Sequence, residues 1–460
     1  MPDNLFVWMN MGKTNYYSTN MHCDDVDFER ALFLGLAPDK GLFMPRKLPS
    51  FSSDEIEAMK RMEYDEIAYV VLKRIIGDDV DDLALRRITK DAYNFRVPIE
   101  KVTDKDHIMR LDCGPTASFK DFAARMMARL MQYFMKKKDM EITILTATSG
   151  DTGSAVAQAF FGLSNIRVVV LFPKDEVSER QRRQMTTLSG NITAIAVDGK
   201  FDDCQAMVKE AFSDPDLLGI NLTSANSINI GRLIPQSIYY FYAYSRVARD
   251  GEEIVFSVPS GNFGDLMGGL FAKKMGLPVA RFIAAVNENN EFPVFLETGE
   301  YAKISPSRNC VSNAMNVGHP SNLARLVALY GGQMDERGMI NKMPDMNAMR
   351  SDVFSLSVLD DETRDVIKRV YEKYKVVLEP HGAVGWRALL EYRKETGDMT
   401  VGVCLETAHP AKFPTDVVKI MGVEPEVPDS LRALDDKEEF VEYLGGGYEE
   451  FKSLLLKRVL

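Results

Sequence analysis

Short apolar runs alternate with helical patterns through most of this chain. Ile142 to Thr146, Ile166 to Phe172, Ile192 to Val197, Glu253 to Val258, Arg281 to Val286 and Thr400 to Leu405 are rich in β-branched residues. Gly, Pro or Asp bound them, and they predict strands. Helical stretches lie between. From Phe122 to Met135, the residues Phe122, Met126, Met127, Leu130, Met131 and Phe134 share one helix face. Strands alternating with helices build βαβ units, so the expected fold is α/β, with mainly parallel sheets covered by helices.

Residues 1–95 lack this rhythm. They are helix-rich and acidic, with the cluster Asp78-Asp79-Val80-Asp81-Asp82, and predict an N-terminal subdomain. From about Pro425 the chain turns charged and helical, which predicts an extension packed along the outside. The lysines Lys136 to Lys138 close a helix, where positive charge suits the dipole. A length of 460 residues allows two or three domains.

Composition narrows the function classes. The net charge of −11 argues against general nucleic-acid binding, which needs basic surface. Five cysteines (Cys23, Cys113, Cys204, Cys310 and Cys404) lie far apart and suit neither a disulfide framework nor a zinc module. A reducing, cytoplasmic compartment is expected. No apolar run has the length of a membrane span. The Met1-Pro2-Asp3 start carries no positive charge and does not read as a signal peptide.

Candidate chemistry sits in Gly-containing turns that open helices, because ligands of α/β sheets bind at the carboxyl ends of strands. The first turn runs Gly114-Pro115-Thr116-Ala117-Ser118-Phe119-Lys120-Asp121-Phe122, with a helix starting near Asp121. A dry helix N-terminus would lower the pKa of the Lys120 amine, as a Schiff-base lysine requires. On spacing alone, an ordinary solvent-facing lysine is the default. The second turn, Thr148-Ser149-Gly150-Asp151-Thr152-Gly153-Ser154, gathers hydroxyls and backbone N–H groups that suit a carboxylate or phosphate. A plain capped turn fits it equally. The third, Ser260-Gly261-Asn262-Phe263-Gly264-Asp265, lets the backbone approach a phosphate. Its glycine spacing is not that of a dinucleotide or Walker loop. Two later segments, Glu379 to Gly385 before a helix and Leu405 to Phe413 after a strand, bring His381, His409 and Thr407. Both histidines read by default as hydrogen-bonded core residues, and no group has metal-ligand spacing.

Taken in order, these segments resemble the threonine synthase family. Gly114 to Phe122 is similar to its pyridoxal-phosphate lysine segment, and Ala147 to Gly153 to its substrate-side loop. Phe201-Asp202-Asp203-Cys204-Gln205 and Asn226-Ser227-Ile228-Asn229 with Arg232 also match. Gly261 to Asp265 resembles its coenzyme phosphate loop, and Thr407 to Phe413 its C-terminal site segment. Tyr17 to Asn20, Gly35 to Asp39 and Gly41 to Pro45 extend the likeness, which runs from about residue 16 to about 420. Cys113, Ala117-Ser118 and Ala123 depart from the family pattern but flank Lys120 without removing it.

The resemblance implies a tryptophan synthase β-like, fold type II architecture. Residues 96–140 and 230–425 would form a large pyridoxal-phosphate domain and 141–229 a small α/β domain, flanked by an N-terminal subdomain (1–95) and a helical extension (426–460). Lys120 would hold pyridoxal 5'-phosphate covalently and act as the base. Gly261, Asn262, Phe263, Gly264 and Asp265 would hold its phosphate, and Thr407 its pyridine nitrogen, without forcing that nitrogen to stay protonated. Ser149, Asp151, Thr152 and Arg232 would serve the substrate. The implied reaction converts O-phospho-L-homoserine and water to L-threonine and phosphate in a monomer or homodimer with no nucleic-acid or membrane partner. A related phospholyase or a serine/threonine dehydratase is the alternative within enzymes. A non-catalytic binding or scaffold protein is the alternative outside them, but such a relative would have lost the lysine or the phosphate loop.

Overall fold

The computed structural model describes residues 14–136, 138, 140–217, 219–445 and 447–459. The Met1-Pro2-Asp3 start, and Lys137 among the helix-closing lysines, lie outside the described residues. Six strands form the larger sheet, in the order Val353–Ser357, Val279–Val286, Ile254–Pro259, Gly402–Glu406, Asp106–Arg110 and Ile99–Lys101. Neighbours run parallel except at the last pair, which is antiparallel. The second sheet is parallel throughout, in the order Glu442–Leu444, Ile192–Val197, Ile166–Pro173, Ile142–Ala147 and Leu222–Thr223.

All six runs expected to be strands are strands, with ends shifted by two residues at most. Ile142–Ala147 and Ile254–Pro259 are buried along their whole length. Strands covered on both faces carry continuous rather than alternating apolarity, which is why these were visible. The charged end of the chain differs from expectation. Glu442–Leu444 adds an edge strand to the smaller sheet, and the helix Tyr448–Val459 packs Phe451 and Leu455 into its core beside Leu145 and Val169.

The N-terminal segment holds a two-stranded antiparallel sheet, Tyr16–Ser18 with Phe43–Pro45, and the helices Tyr64–Ile76 and Asp82–Ala92. It is continuous with the main core. Tyr64 meets Phe122 at 5.3 Å between ring centroids, and Phe28 meets Phe134 at 6.3 Å. The helix Lys120–Met135 is thereby pinned. Met126, Met127, Leu130 and Met131 on it are essentially inaccessible, and burying each large apolar side chain contributes roughly 1.5–3 kcal/mol. Arg325, fully buried, sews this segment to the rest by donating to Phe43 O (3.0 Å), Ser227 O (3.1 Å), Ile228 O (2.6 Å) and Asn322 Oδ1 (2.6 Å). Burial lowers its pKa to about 9, and those bonds offset the cost of enclosing a cation. The helices Asp151–Phe160 and Gly264–Lys274 start just past the carboxyl ends of Ile142–Ala147 and Ile254–Pro259, where the site lies.

Candidate active site

The segment leading to Lys120 is zipped to the one that follows Gly402–Glu406. Leu111 N donates to Glu406 O (3.0 Å), Phe119 N to Thr407 O (2.8 Å) and His409 N to Ala117 O (3.0 Å), while Ser118 bridges Ala408. Lys120 and Thr407 are thus brought side by side by backbone pairing. The turn is tightened by Asp121, whose Oδ2 accepts from Thr116 N (2.8 Å) and Oδ1 from Thr116 Oγ1 (2.7 Å). A Cβ on Gly114 would stand 2.4 Å from Asp121 Oδ2, so the turn requires glycine there.

Lys120 is the first residue of its helix and is only partly accessible. Desolvation lowers its amine to about pKa 8; Arg232 and Lys412 push the same way, while Asp151 and Asp265 favour the ammonium. Four charged side chains from separate parts of the sequence therefore act on one nitrogen. Burial alone would raise the Asp151 carboxyl, but Lys412 and Lys120 overcome it and hold it at about 2. Asp265 goes the other way: burial raises it to about 7 against hydrogen bonds from Tyr240 and Tyr239, each 3.1 Å. Burial likewise lifts Asp121 to about 6 and lowers Arg232 to about 10.

In the turn at residues 148–154, Thr148 Oγ1 accepts from Gly150 N and Gly153 N, each at 2.9 Å, and Gly150 takes φ 134°, which disfavours any side chain. Asp151 faces inward, accepting from Gln181 Nε2 (2.9 Å) and pairing with Lys412 (2.6 Å), whereas Ser149 and Thr152 stay partly exposed. In the phosphate-type loop, Phe263 is left-handed at φ 61°, and Asn262 is fixed by Ser321 N on Oδ1 (3.3 Å) and Asn322 Nδ2 on its carbonyl (2.9 Å). The Asp265 side chain is turned to the two tyrosines, so its backbone N–H is what it can offer an anion.

Some expected residues lie elsewhere or are committed. Phe201 to Gln205 open the helix Phe201–Ala211, with Cys204 buried in the small-domain core. His409 Nδ1 accepts from Ala411 N (3.1 Å), an ordinary cap. His381, expected in a turn, sits in the first turn of the helix Pro380–Thr396. Thr407 Oγ1 donates to Glu379 Oε1 (3.2 Å). Sequence reading did not single out Lys412, Gln181, Gln184 or Glu379. Lys412 lay within a noted segment, but nothing local marks it as buried.

The residues present fit pyridoxal phosphate. Ser118 Oγ, Gln184 Oε1, Asn226 Oδ1, Arg232 Nε and Asp265 Oδ2 are buried without a hydrogen-bond partner among the described residues. Buried polar atoms are seldom left so. Ser118 Oγ and Arg232 Nε can donate to an anionic group, while Gln184 Oε1, Asn226 Oδ1 and Asp265 Oδ2 can accept from a donor, so the set suits a polar ligand that carries both. The loop before Gly264–Lys274 is equally shaped for close approach: a Cβ on Gly261 would meet Ala314 O at 3.1 Å and Met315 Cα at 3.2 Å.

Comparison with known proteins agrees with this geometry. Residues 103–407 match the family of pyridoxal-phosphate dependent enzymes, residues 15–93 the threonine synthase N terminus, and residues 382–454 the threonine synthase C-terminal region. Threonine synthase of Serratia marcescens is 40% identical over 417 residues, covering 90% of this chain and 92% of the relative. The structure of pyridoxal-phosphate-bound threonine synthase from Brucella melitensis superposes with a TM-score of 0.91 at 34% identity, covering 97% of this chain and 99% of that one. That of Escherichia coli threonine synthase gives 0.86 at 38% identity, covering 96% and 99%. With its desolvated lysine, its anion-shaped helix starts and these likenesses along nearly its whole length, the chain belongs to the threonine synthase family of pyridoxal-phosphate-dependent enzymes.

Proposed function

We propose that this protein converts O-phospho-L-homoserine and water to L-threonine and phosphate. The observation that carries the reading is Lys120: a desolvated amine of pKa about 8, on a helix start beside Thr407, in a chain of this family. When bound, pyridoxal phosphate supplies an electron sink for carbanionic character at the substrate carbons. Everything else is positioning and proton movement by the chain. An amine poised near neutrality exchanges protons in either direction, so Lys120 Nζ is suited to take protons from Cα and Cβ and to return both, one when the methyl group forms at Cγ and one to Cα after water has added. Phosphate leaves from Cγ, and water adds its oxygen at Cβ.

Two phosphates and a carboxylate must be held at once. The helix starts at Asp151 and Gly264 point backbone N–H groups at the site, and the Arg232 guanidinium, buried with Nε unpaired among the described residues, adds a fixed cation. Gly261 to Asp265 would take the cofactor phosphate, and Ser149 and Thr152 the substrate carboxylate. Asp151 supports that loop through Lys412. The small α/β domain would be residues 141–229 and the large cofactor-binding domain 96–140 with 230–425, in a monomer or homodimer. Five free cysteines suit a reducing, cytoplasmic compartment. Among the described residues no helix is long and apolar enough to cross a membrane.

The test is product analysis after incubating the cofactor-loaded protein with O-phospho-L-homoserine, beside Lys120→Ala. Threonine and phosphate in equal amounts, both lost in the variant, are expected. Phosphate with a keto acid would transfer the protein to the phospholyase and dehydratase alternative.

A further inference from the structure

Beneath Thr407 lies a buried acid network that the proposed reaction does not use. Glu379 caps the helix Pro380–Thr396 and is fully buried. Its Oε1 accepts from Gly382 N (2.9 Å) and from Thr407 Oγ1 (3.2 Å); its Oε2 accepts from His381 N (2.7 Å) and makes a very short contact with His381 Nδ1. The tautomer of His381 follows from its other nitrogen. Ala314 N donates to Nε2 (3.1 Å), so Nε2 is bare and the ring proton sits on Nδ1, aimed at Glu379. Every contact of the Glu379 carboxyl thus comes from a donor. Glu406 completes the group: its Oε1 accepts from Glu379 N (2.7 Å), and burial, then repulsion from Glu379, raises its carboxyl well above the ordinary range.

A hydroxyl has one proton. If Thr407 commits it to Glu379, its oxygen can only accept from the opposite side. We propose that Glu379 is a positioning residue for the cofactor ring: by taking the Thr407 hydroxyl proton it turns Thr407 into an acceptor, which holds the ring nitrogen of bound pyridoxal phosphate in its protonated form. This rests on the proposed function, in which Thr407 faces that nitrogen, and it reverses the expectation that a hydroxyl partner leaves the nitrogen free to lose its proton. A protonated ring is the stronger electron sink, so the second carboxylate shell supplies what a direct carboxylate contact would otherwise supply. The network also reaches the other end of the site. Ala314, which donates to His381, abuts Gly261 of the phosphate loop, so one chain of contacts spans Gly261, Ala314, His381, Glu379 and Thr407.

The test uses the holoenzyme loaded with pyridoxal phosphate labelled with nitrogen-15 in the ring, read by NMR. Wild type should give a pyridinium signal. In Glu379→Gln, the Oε2 side faces two fixed donors of His381 and the Oε1 side only one, Gly382 N, because the Thr407 hydroxyl can turn; the amide oxygen therefore stays toward His381, and the NH2 faces Thr407 and leaves Gly382 N without its acceptor. The hydroxyl then becomes the donor, and the signal should move to that of an unprotonated pyridine. Thr407→Ser, which keeps the hydroxyl, should retain the wild-type signal. An unprotonated ring in wild type overturns the inference alone, and so does a pyridinium that survives in Glu379→Gln. If that variant does not fold, the wild-type spectrum decides. A purified protein that holds no pyridoxal phosphate would overturn the proposed function as well.

Discussion

Lys412 Nζ lies 2.6 Å from Asp151 Oδ1, and both side chains are almost completely withdrawn from solvent. Lys412 also donates to Thr116 O (3.0 Å), and Gln184 Nε2 donates to the same carbonyl (2.9 Å). One ion pair therefore joins the segment after Gly402–Glu406, the Lys120 turn and the first turn of Asp151–Phe160. Removing one partner of a buried pair leaves an uncompensated charge. Lys412→Met should accordingly lower unfolding stability by about 3–5 kcal/mol, whereas Lys412→Met with Asp151→Leu should recover much of that loss. Urea unfolding of the three proteins checks it; a single variant within about 1 kcal/mol of wild type would speak against the pair as a fastener.

Asp265 gives a pH dependence of opposite sense to Asp151. Its folded-state pKa of about 7 exceeds the ordinary aspartate value, so the folded state binds its proton more tightly than the unfolded chain does. Its contribution to stability is complete below the ordinary value and is lost as pH rises through about 7. In cofactor-free protein the loss is on the order of 4 kcal/mol at most. Asp151, held at about 2, contributes stability above the ordinary value and loses it only as pH falls toward 2. Unfolding free energies measured from about pH 4 to about pH 8 should therefore fall less steeply in Asp265→Asn than in wild type. Parallel curves would show that Asp265 titrates normally.

The fold was legible where burial is two-sided. Ile254–Pro259 and Ile166–Pro173 are nearly continuous apolar runs, as strands buried on both faces are. Asp106–Arg110 was not legible: Asp106, His107 and Arg110 dilute its pattern, and its place beside Gly402–Glu406 is a long-range fact. Glu442–Leu444 is too short to carry a period and is a strand only because Ile192–Val197 offers it an edge. The site divides in the same way. Lys120 and the three loops could be read from turn chemistry and ordered resemblance, since each is local. Lys412, Gln184 and Glu379 owe their roles to partners distant in sequence, and a buried lysine looks like any other until its carboxylate is known. The commitment of Thr407 to Glu379 was hidden for the same reason.

The low pKa of Lys120 predicts selective chemistry in the cofactor-free protein. An amine near pKa 8 is largely unprotonated at mildly alkaline pH, where solvent-exposed lysines are still ammonium ions. Competitive acetylation with peptide mass spectrometry should give Lys120 a reactivity midpoint near 8, about two units below surface lysines. Asp151→Asn removes a charge that favours the ammonium and should lower that midpoint further. A midpoint above 10 in wild type would mean that the amine is not desolvated.

Gly382 reverses the usual rule for glycine in a helix. Replacing a helical glycine with alanine normally stabilises by up to about 1 kcal/mol, because alanine has less backbone freedom to lose. Gly382 lies in the first turn of Pro380–Thr396 with no left-handed φ to relieve. A Cβ there, however, would stand 1.7 Å from Glu406 Oε2 and 2.7 Å from its Cδ. The Glu406 carboxyl is fully buried and accepts from Glu379 N, so it cannot swing into solvent without breaking that bond. Gly382→Ala should therefore destabilise by about 1–3 kcal/mol, as overpacking does, and should weaken cofactor retention by displacing the Glu379–Thr407 pair. Thermal unfolding and cofactor release measured on the same variant separate the two effects. A stabilised variant with unchanged retention would show that Glu406 has room to move.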